Sequence, residues 1–182
     1  MSDVIKFFGA DKPWGELSNF YPLTQPIIFD GKPYPTSEHL YHTCKYIYPN
    51  APAINQEYIE IIRTASTPYK AKLLANQTKN NRYYWNQELN SIIDLYVIKG
   101  IKARDDWNFT LENYNENVKY YVMKYILLCK FKTDKHCRDV LLSTGNAKLM
   151  ENSPYDNYWG GQGNKLGILL EEVRKELLHL IL

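Results

Sequence analysis

The chain has 182 residues and a formal net charge of +2, which is the size of one domain and excludes binding of nucleic acid through bulk positive charge. Cys44, Cys129 and Cys137 are widely spaced and form no C-x-x-C pair, so neither a disulfide framework nor a zinc site is predicted. The sequence shows no signal-peptide pattern and no apolar run near the ~20 residues of a membrane span. We therefore expect a single cytoplasmic domain over residues 1–182, with no membrane partner.

The first predicted elements are β-strands. The run VIKFF at residues 4–8 predicts a short strand. Asp30 and Gly31 lie between two β-prone pieces, a pattern typical of a tight hairpin. Pro33 in the second arm predicts that this strand is short or lies at an edge, because proline cannot donate to a ladder.

Helices are predicted for most of the remaining chain. Thr36 or Ser37 is expected to cap a helix that runs to about Tyr48, before Pro49. Further helices are predicted over residues 53–65, 69–76, 85–103, 118–131, 133–145 and 165–182.

Some of these helices have recognisable boundary residues. Thr67 is the predicted cap of the helix over 69–76, with Pro68 at its first position. Thr133 is the predicted cap of the helix that Gly145 ends. The polar pieces near 76–82 and 108–117 are expected to be loops. The predicted fold class is α+β: a predominantly helical domain with a small N-terminal β-hairpin or sheet.

Glu38 lies in the first turn of the predicted helix that follows the letters PTS. At helical spacing Glu38, His42 and Lys45 share one side, opposite an apolar side. A solvated polar face, with Glu38 favoured by the positive helix N-terminus, accounts for this pattern, and so does a catalytic carboxylate. His39 and His42 have a spacing that can hold a metal, but no third ligand follows at a recognisable spacing, so no metal site is predicted.

A second stretch of interest, SPYDNYWGGQGNKLG, precedes the C-terminal helix. Glycines before a helix let backbone N–H groups approach an anion, and the helix N-terminus favours negative charge. The stretch matches neither a Walker loop nor a Rossmann fingerprint, and a plain flexible loop is the alternative interpretation. Asp156 and Trp159 add a carboxylate and an aromatic ring, which a nucleotide-like ligand would use.

A third stretch, PWGELSNFYP at residues 13–22, combines polar and aromatic side chains. Asn19 can donate and accept hydrogen bonds, which suits sugar hydroxyls or base edges, although asparagine also favours turns. The chain has 16 tyrosines. They reflect either coding bias or an aromatic surface for stacking bases, and the second interpretation requires several tyrosines on one face.

In chain order, LSNFYP, PTSEH, IIRTASTPYKAKLL and LLSTGNAKLMENSPYDNYWGGQGNKLGILLEEVR resemble the motifs of the NADAR family of YbiA-like N-glycosidases. The resemblance extends over about residues 7–178. It implies a mostly helical α+β fold and hydrolysis of the bond between ribose and a nitrogen base. One branch of the family acts on phosphoribosylamino-pyrimidine intermediates of riboflavin synthesis, and another removes ADP-ribose from modified guanine in nucleic acid.

Carried over residue by residue, the resemblance implies that Glu38 is a catalytic carboxylate, which stabilises the developing cation and activates water. Asp156 is the second implied catalytic residue, as an acid or an orienting group. Trp159 would stack on the base or ribose, while Lys45 and the glycine loop, Gly160–Gly163, would hold phosphate or pyrophosphate. The implied ligand-binding residues are Asn19, Phe20, His39, Lys45, Trp107, Tyr158, Trp159, Gly160, Gly161 and Asn164. Neither a metal nor a cofactor is implied.

The chain departs from the family pattern at two places. It has LYHTC after Glu38-His39, where the family usually has a Gln- or Ala-rich stretch, and its middle segment, residues 77–103, is longer. Either Trp85 or Trp107 could correspond to a tryptophan of the family pattern, and the surrounding sequence DDWN at residues 105–108 favours Trp107.

Two features favour ADP-ribosylated guanine in DNA or RNA as the substrate: the longer middle segment and the lack of a fused riboflavin-pathway module. Phosphoribosylamino-pyrimidine hydrolysis is the alternative reaction. A non-catalytic module that binds ADP-ribose is the alternative from another functional class.

Overall fold

A computed structural model describes residues 3–79 and 86–181. The chain divides into two compact units. The first unit combines Met1–Ser37 with Met123–Leu182, and the second is the continuous stretch Glu38–Val122. Trp85, one of the two tryptophans weighed above, lies outside the described residues.

The described residues contain four short strands in two pairs. Strands β1 (Val4–Phe7) and β4 (Lys148–Glu151) run parallel, whereas β2 (Ile27–Phe29) and β3 (Lys32–Tyr34) form an antiparallel hairpin. Asp30 and Gly31 both have positive φ angles, of 50° and 70°, as a two-residue hairpin turn requires. The hairpin prediction is therefore confirmed, whereas β4 was not predicted.

Seven helices occur in the described ranges, which confirms the predominantly helical α+β class. They are α1 (Ser37–Thr43), α2 (Asn55–Arg63), α3 (Pro68–Ala75), α4 (Asn86–Ile98), α5 (Val118–Thr133), α6 (Lys135–Ser143) and α7 (Lys165–Ile181), with 3-10 turns at Gly15–Leu17 and Cys44–Tyr46. None of these helices combines the length and the apolar character that crossing a membrane requires.

Each unit has its own buried apolar side chains. In the first unit α7 packs against β4, and the buried residues there include Leu149, Leu166, Leu169, Leu170 and Val173. In the second unit α2, α3 and α4 enclose a cluster that includes Tyr46, Tyr58, Ile62, Leu74 and Ile93. Tyr58 donates its hydroxyl to the Leu74 carbonyl at 2.8 Å, so its polar group is satisfied inside the cluster.

Three predicted helix boundaries are wrong. The helix predicted over residues 85–103 ends at Ile98. Thr133 does not cap α6, because α5 continues through it, and Asp134 is the cap instead, accepting from the Cys137 N–H at 3.0 Å. The first helix ends at Thr43, and a 3-10 turn replaces its expected continuation towards Tyr48.

Other boundaries follow the local signals in the sequence. Thr67 caps α3 by accepting from the Lys70 N–H at 3.1 Å, and Gly145 follows α6 with a φ of 57°, so both predictions are confirmed. Ser37 is not a side-chain cap, because its buried Oγ has no hydrogen-bond partner among the described residues.

Candidate active site

Helix α1 is buried on both of its sides. Glu38 is 7% exposed and His42 is 3% exposed, while Leu40 on the other side is fully buried. The interpretation of this side of α1 as a solvated polar face is therefore wrong. A carboxylate and an imidazole are instead held inside the protein, where an unpaired charge is costly.

Glu38 and His42 pair one helical turn apart. The His42 Nε2 lies 2.8 Å from the Glu38 Oε1. Burial opposes ionisation of Glu38, but its interaction with His42, followed by the charges of Lys72 and Lys45, brings its pKa below the usual value. Burial lowers the pKa of His42 as well, despite the opposing effect of Glu38. The pair therefore holds an ionised carboxylate and a neutral imidazole that donates through Nε2–H.

Lys45 lies just after α1, in the 3-10 turn. Its ammonium group donates to the Asn76 side chain and lies 5.8 Å from the ring centroid of Tyr41 and 5.9 Å from that of Trp107. Burial lowers the pKa of Lys45 to about 8, although Glu38 opposes this change. Trp107 is itself buried against Tyr41, with ring centroids 5.1 Å apart, so it forms part of the wall around the lysine.

The hydrogen bond of His39 is made to the backbone and not to the paired carboxylate. Its Nε2 donates to the Ala65 carbonyl at 3.0 Å, and burial lowers its pKa. This bond ties α1 to the end of α2. Within residues 3–79 and 86–181, no three His, Cys, Asp or Glu side chains are grouped so that they could hold a metal ion.

Asn19, in the first unit, is a buried amide with one unsatisfied atom. Its Nδ2 lies 3.4 Å from the Met123 sulfur, while its Oδ1 has no hydrogen-bond partner in the described structure. The neighbouring Ser18 carbonyl accepts from the buried Lys130 ammonium at 2.9 Å. Phe20 is half-buried, and its N–H donates to the Ser18 hydroxyl. Asn19 thus presents a free acceptor from an anchored loop.

Asp156 organises the turn that carries Tyr158 and Trp159. Its Oδ1 accepts from the backbone N–H groups of both residues, each at 2.9 Å. The two rings meet edge to face, with centroids 4.9 Å apart. All three side chains are half-buried. An orienting function for Asp156 agrees with this geometry, because one carboxylate oxygen fixes the backbone of both aromatic residues.

The glycine loop is packed closely against the rest of the first unit. A Cβ at Gly160 would lie 2.8 Å from the Ser153 Cβ and 2.9 Å from the Glu151 carbonyl oxygen. The N–H of Gly161 donates to that same carbonyl, and the N–H of Gly163 donates to the Asn157 carbonyl, both at 3.0 Å. Two N–H groups expected to face an anion are therefore engaged within the protein.

Asn164 joins this loop to strand β4. Its Nδ2 donates to the Leu149 carbonyl at 2.9 Å, and its Oδ1 accepts from the Glu151 N–H at 3.0 Å. It is buried and has a positive φ of 44°, which asparagine tolerates better than most residues. The structure thus gives Asn164 a definite part in holding the loop, and its predicted contact with a ligand stays a prediction.

The predicted site residues fall into both units. Glu38, His39, Lys45 and Trp107 belong to the second unit. The first unit holds the others: Asn19, Phe20, Asp156, Tyr158, Trp159, Gly160, Gly161 and Asn164. The sequence interpretation assigned no role to His42 or Lys72. The i,i+4 spacing of Glu38 and His42 was a visible signal for the first of these.

Comparison with known proteins supports a family assignment. The N-glycosidase YbiA of Shigella boydii is 32% identical over 96% of this chain and 88% of its own length. The chloroplastic riboflavin biosynthesis protein PYRR of Zea mays is 30% identical over 97% of this chain and 26% of its own. The NMR structure of the E. coli protein YbiA matches with a TM-score of 0.67 and 31% identity, over 97% of this chain and 86% of that one. A model of the NADAR domain matches residues 6–178, and the chain therefore belongs to the NADAR domain family.

Proposed function

We propose that this protein is an N-glycoside hydrolase that cleaves the bond between ribose and a nitrogen base. The observation that carries the proposal is the buried, ionised Glu38, held by His42 at 2.8 Å. The similarity to YbiA supports the same reaction, because that relative is named an N-glycosidase and is 32% identical over most of both chains.

Cleavage of a ribose–nitrogen bond passes through an oxocarbenium-like transition state, as in other glycosidases. A carboxylate beside the anomeric carbon stabilises that positive charge and accepts a proton from the attacking water. The base leaves with the electron pair of the broken bond and takes up a proton, so that free base and ribose with a new hydroxyl are the products. The Glu38 Oε1 is engaged by His42, so Oε2 is the oxygen that we assign to the water. Asp156 fixes the turn of Tyr158 and Trp159 by accepting from both of their backbone N–H groups, and the stacking of these rings on a ligand stays a prediction.

The phosphate of the substrate is assigned to lysines of the second unit. Lys45 and Lys72 both act electrostatically on Glu38, and a phosphate bound to them would lie near the reacting ribose. We assign no part of this phosphate to the glycine loop, because the N–H groups of Gly161 and Gly163 already donate to protein carbonyls.

ADP-ribosylated guanine in nucleic acid is the substrate that we favour. Phe109, Tyr114 and Tyr121 are exposed aromatic residues of the second unit, and the rings of the two tyrosines lie 5.0 Å apart. Exposed rings of this kind stack on unpaired bases irrespective of sequence. The contact between Tyr114 and Tyr121 supports the base-stacking interpretation of the composition.

Hydrolysis of a phosphoribosylamino-pyrimidine is the second candidate. It is favoured by the similarity to a Zea mays protein named for riboflavin biosynthesis. The same carboxylate and lysines would serve this smaller substrate, but the exposed aromatic residues would then have no part in binding.

The test compares the wild-type protein with Glu38→Gln and with Glu88→Gln. Glu88 is an exposed carboxylate in α4, so it controls for the change in charge. Each protein is incubated with an oligonucleotide carrying ADP-ribosyl-guanine and, separately, with a phosphoribosylamino-pyrimidine, and released products are measured by mass spectrometry. We expect release from the oligonucleotide, a loss of ~10²-fold or more in Glu38→Gln, and little change in Glu88→Gln.

Each other outcome changes the assignment. Release from the pyrimidine alone would establish the second candidate. Near wild-type rates in Glu38→Gln would remove Glu38 from the chemistry. No release from either substrate, with ADP-ribose binding detected by calorimetry, would identify a non-catalytic binding module.

A further inference from the structure

His42 is a buried polar residue whose hydrogen-bonding capacity is only half used. Its Nε2 lies 2.8 Å from the Glu38 Oε1, while its Nδ1 is buried without a hydrogen-bond partner among the described residues. An unpaired buried nitrogen is destabilising by comparison with an apolar side chain of similar size. Packing alone therefore does not explain an imidazole at this position.

The charged groups that act on the pair come from two further elements of the second unit. Lys45 follows α1 and Lys72 belongs to α3. Their positive charges favour the ionised form of Glu38 and disfavour protonation of the His42 imidazole. The Tyr41 ring lies 5.2 Å from the imidazole ring between centroids. These surroundings favour one arrangement of the proton: on His42 Nε2, with Glu38 ionised.

This arrangement fixes how the carboxylate is oriented. The carboxylate can only accept, so His42 must be the Nε2–H tautomer, and its Nδ1 is then a bare acceptor. The hydrogen bond occupies Oε1 from one side and leaves Oε2 for another partner. A neutral donor also adds no charge that would compete with a developing cation on the substrate.

We propose that His42 is a positioning residue for Glu38, which orients the carboxylate and keeps it in the form that activates water. This role of His42 rests on the proposed function, because the water that Glu38 activates is the one that attacks the ribose in that reaction. The interaction between the two side chains is nevertheless measurable without any substrate, because the titration of one depends on the presence of the other.

The first measurement needs no turnover. The Glu38 carboxyl carbon is followed by ¹³C NMR as the pH is lowered, in the wild-type protein, His42→Leu and His42→Gln, with Glu38→Gln to assign the signal. We expect the Glu38 midpoint to rise by about one pH unit or more in His42→Leu, because burial then acts without the donor. In His42→Gln the amide supplies a donor, and the midpoint should stay within about half a unit of wild type.

The imidazole itself supplies a test on the unmodified protein. We expect the ¹⁵N shifts of His42 at neutral pH to report the Nε2–H tautomer. The Nδ1–H tautomer, or an unchanged Glu38 midpoint in His42→Leu, would overturn the proposal. If His42→Leu fails to fold, the tautomer and the His42→Gln midpoint still decide, since a change above about one unit in His42→Gln would contradict a role as simple donor.

The kinetic measurement uses whichever N-riboside the wild-type protein cleaves. In His42→Leu we expect kcat to fall ~10-fold or more with KM nearly unchanged, and the acidic limb of kcat/KM to move to higher pH with the NMR midpoint. His42→Gln should recover most of the loss. If the wild-type protein cleaves neither substrate, the proposed function fails, while the NMR results still decide whether His42 controls Glu38.

Discussion

Asn164 illustrates how one side chain can hold a loop in place. It makes two hydrogen bonds to β4 and adopts a positive φ. Asn164→Ala would leave the Glu151 N–H and the Leu149 carbonyl unpaired and place alanine in the left-handed region. We expect the free energy of unfolding to fall by about 3 kcal/mol, measured by urea denaturation. Gln162→Ala, at an exposed position of the same loop, is the control and should change stability by less than about 0.5 kcal/mol. Equal stabilities for both variants would contradict this account.

At the scale of the element, two helix-capping side chains differ in the number of hydrogen bonds that they accept. Thr67 makes one bond, to the Lys70 N–H, at an exposed site. Asp134 accepts from the Cys137 N–H through one oxygen, while its other oxygen accepts from both the N–H and the hydroxyl of Thr24, at 2.7 and 2.9 Å. We expect Thr67→Ala to lower the free energy of unfolding by about 1 kcal/mol and Asp134→Ala by about 3 kcal/mol or more. Denaturant titrations of both variants check this order, and similar losses would show that the bonds to Thr24 add little.

For the whole molecule, the perturbed carboxyl and imidazole groups change the free energy of unfolding with pH in the same direction. Burial opposes ionisation of Asp134, but hydrogen bonds from Cys137, Thr24 and Gln25 lower its pKa to about 2. The pKa values of Glu38, His39 and His42 are also lowered. The unfolded chain therefore binds more protons than the folded protein at acid pH, so the free energy of unfolding must rise with pH.

The expected pH dependence has two ranges. As the pH falls below about 6.5, the histidines of the unfolded chain become protonated and stability decreases. A further loss follows below about pH 4.5, when the stabilisation from Glu38 and then from Asp134 disappears as each carboxylate is protonated. Urea denaturation at about pH 7.5, 6 and 4.5, at constant ionic strength, measures the first range, and a further point near pH 3 measures the second. Constant stability across the first range would refute the assignment of neutral buried histidines.

Elements with local signals could be predicted from the sequence, and elements that depend on distant pairing could not. Asp30 and Gly31 specify their turn through their own backbone preferences, so the hairpin was predictable. Strand β4 has four residues and pairs with β1 from the far end of the chain, and no local pattern predicts such a parallel partner. Thr133 and Asp134 are adjacent residues that can both cap a helix, and the choice depends on how far α5 extends.

For the candidate site, the sequence identified the residue types but not their surroundings. The order of motifs led to Glu38, while helical periodicity allowed its side of α1 to be solvated. Burial of both sides depends on packing around a seven-residue helix, which periodicity does not encode. The internal hydrogen bonds of Gly161 and Gly163 were equally hidden, because a glycine-rich sequence is the same whether its N–H groups face a ligand or a carbonyl.

The pairing of β1 with β4 also bears on how the protein emerges from the ribosome. Val4 lies opposite Lys148, so β1 must remain without its partner until the ribosome has translated β4. Glu38–Val122 is continuous and can form its own core in the meantime. Closing so long a loop is slow and entropically unfavourable. The first unit is therefore expected to be the last to complete its fold during synthesis.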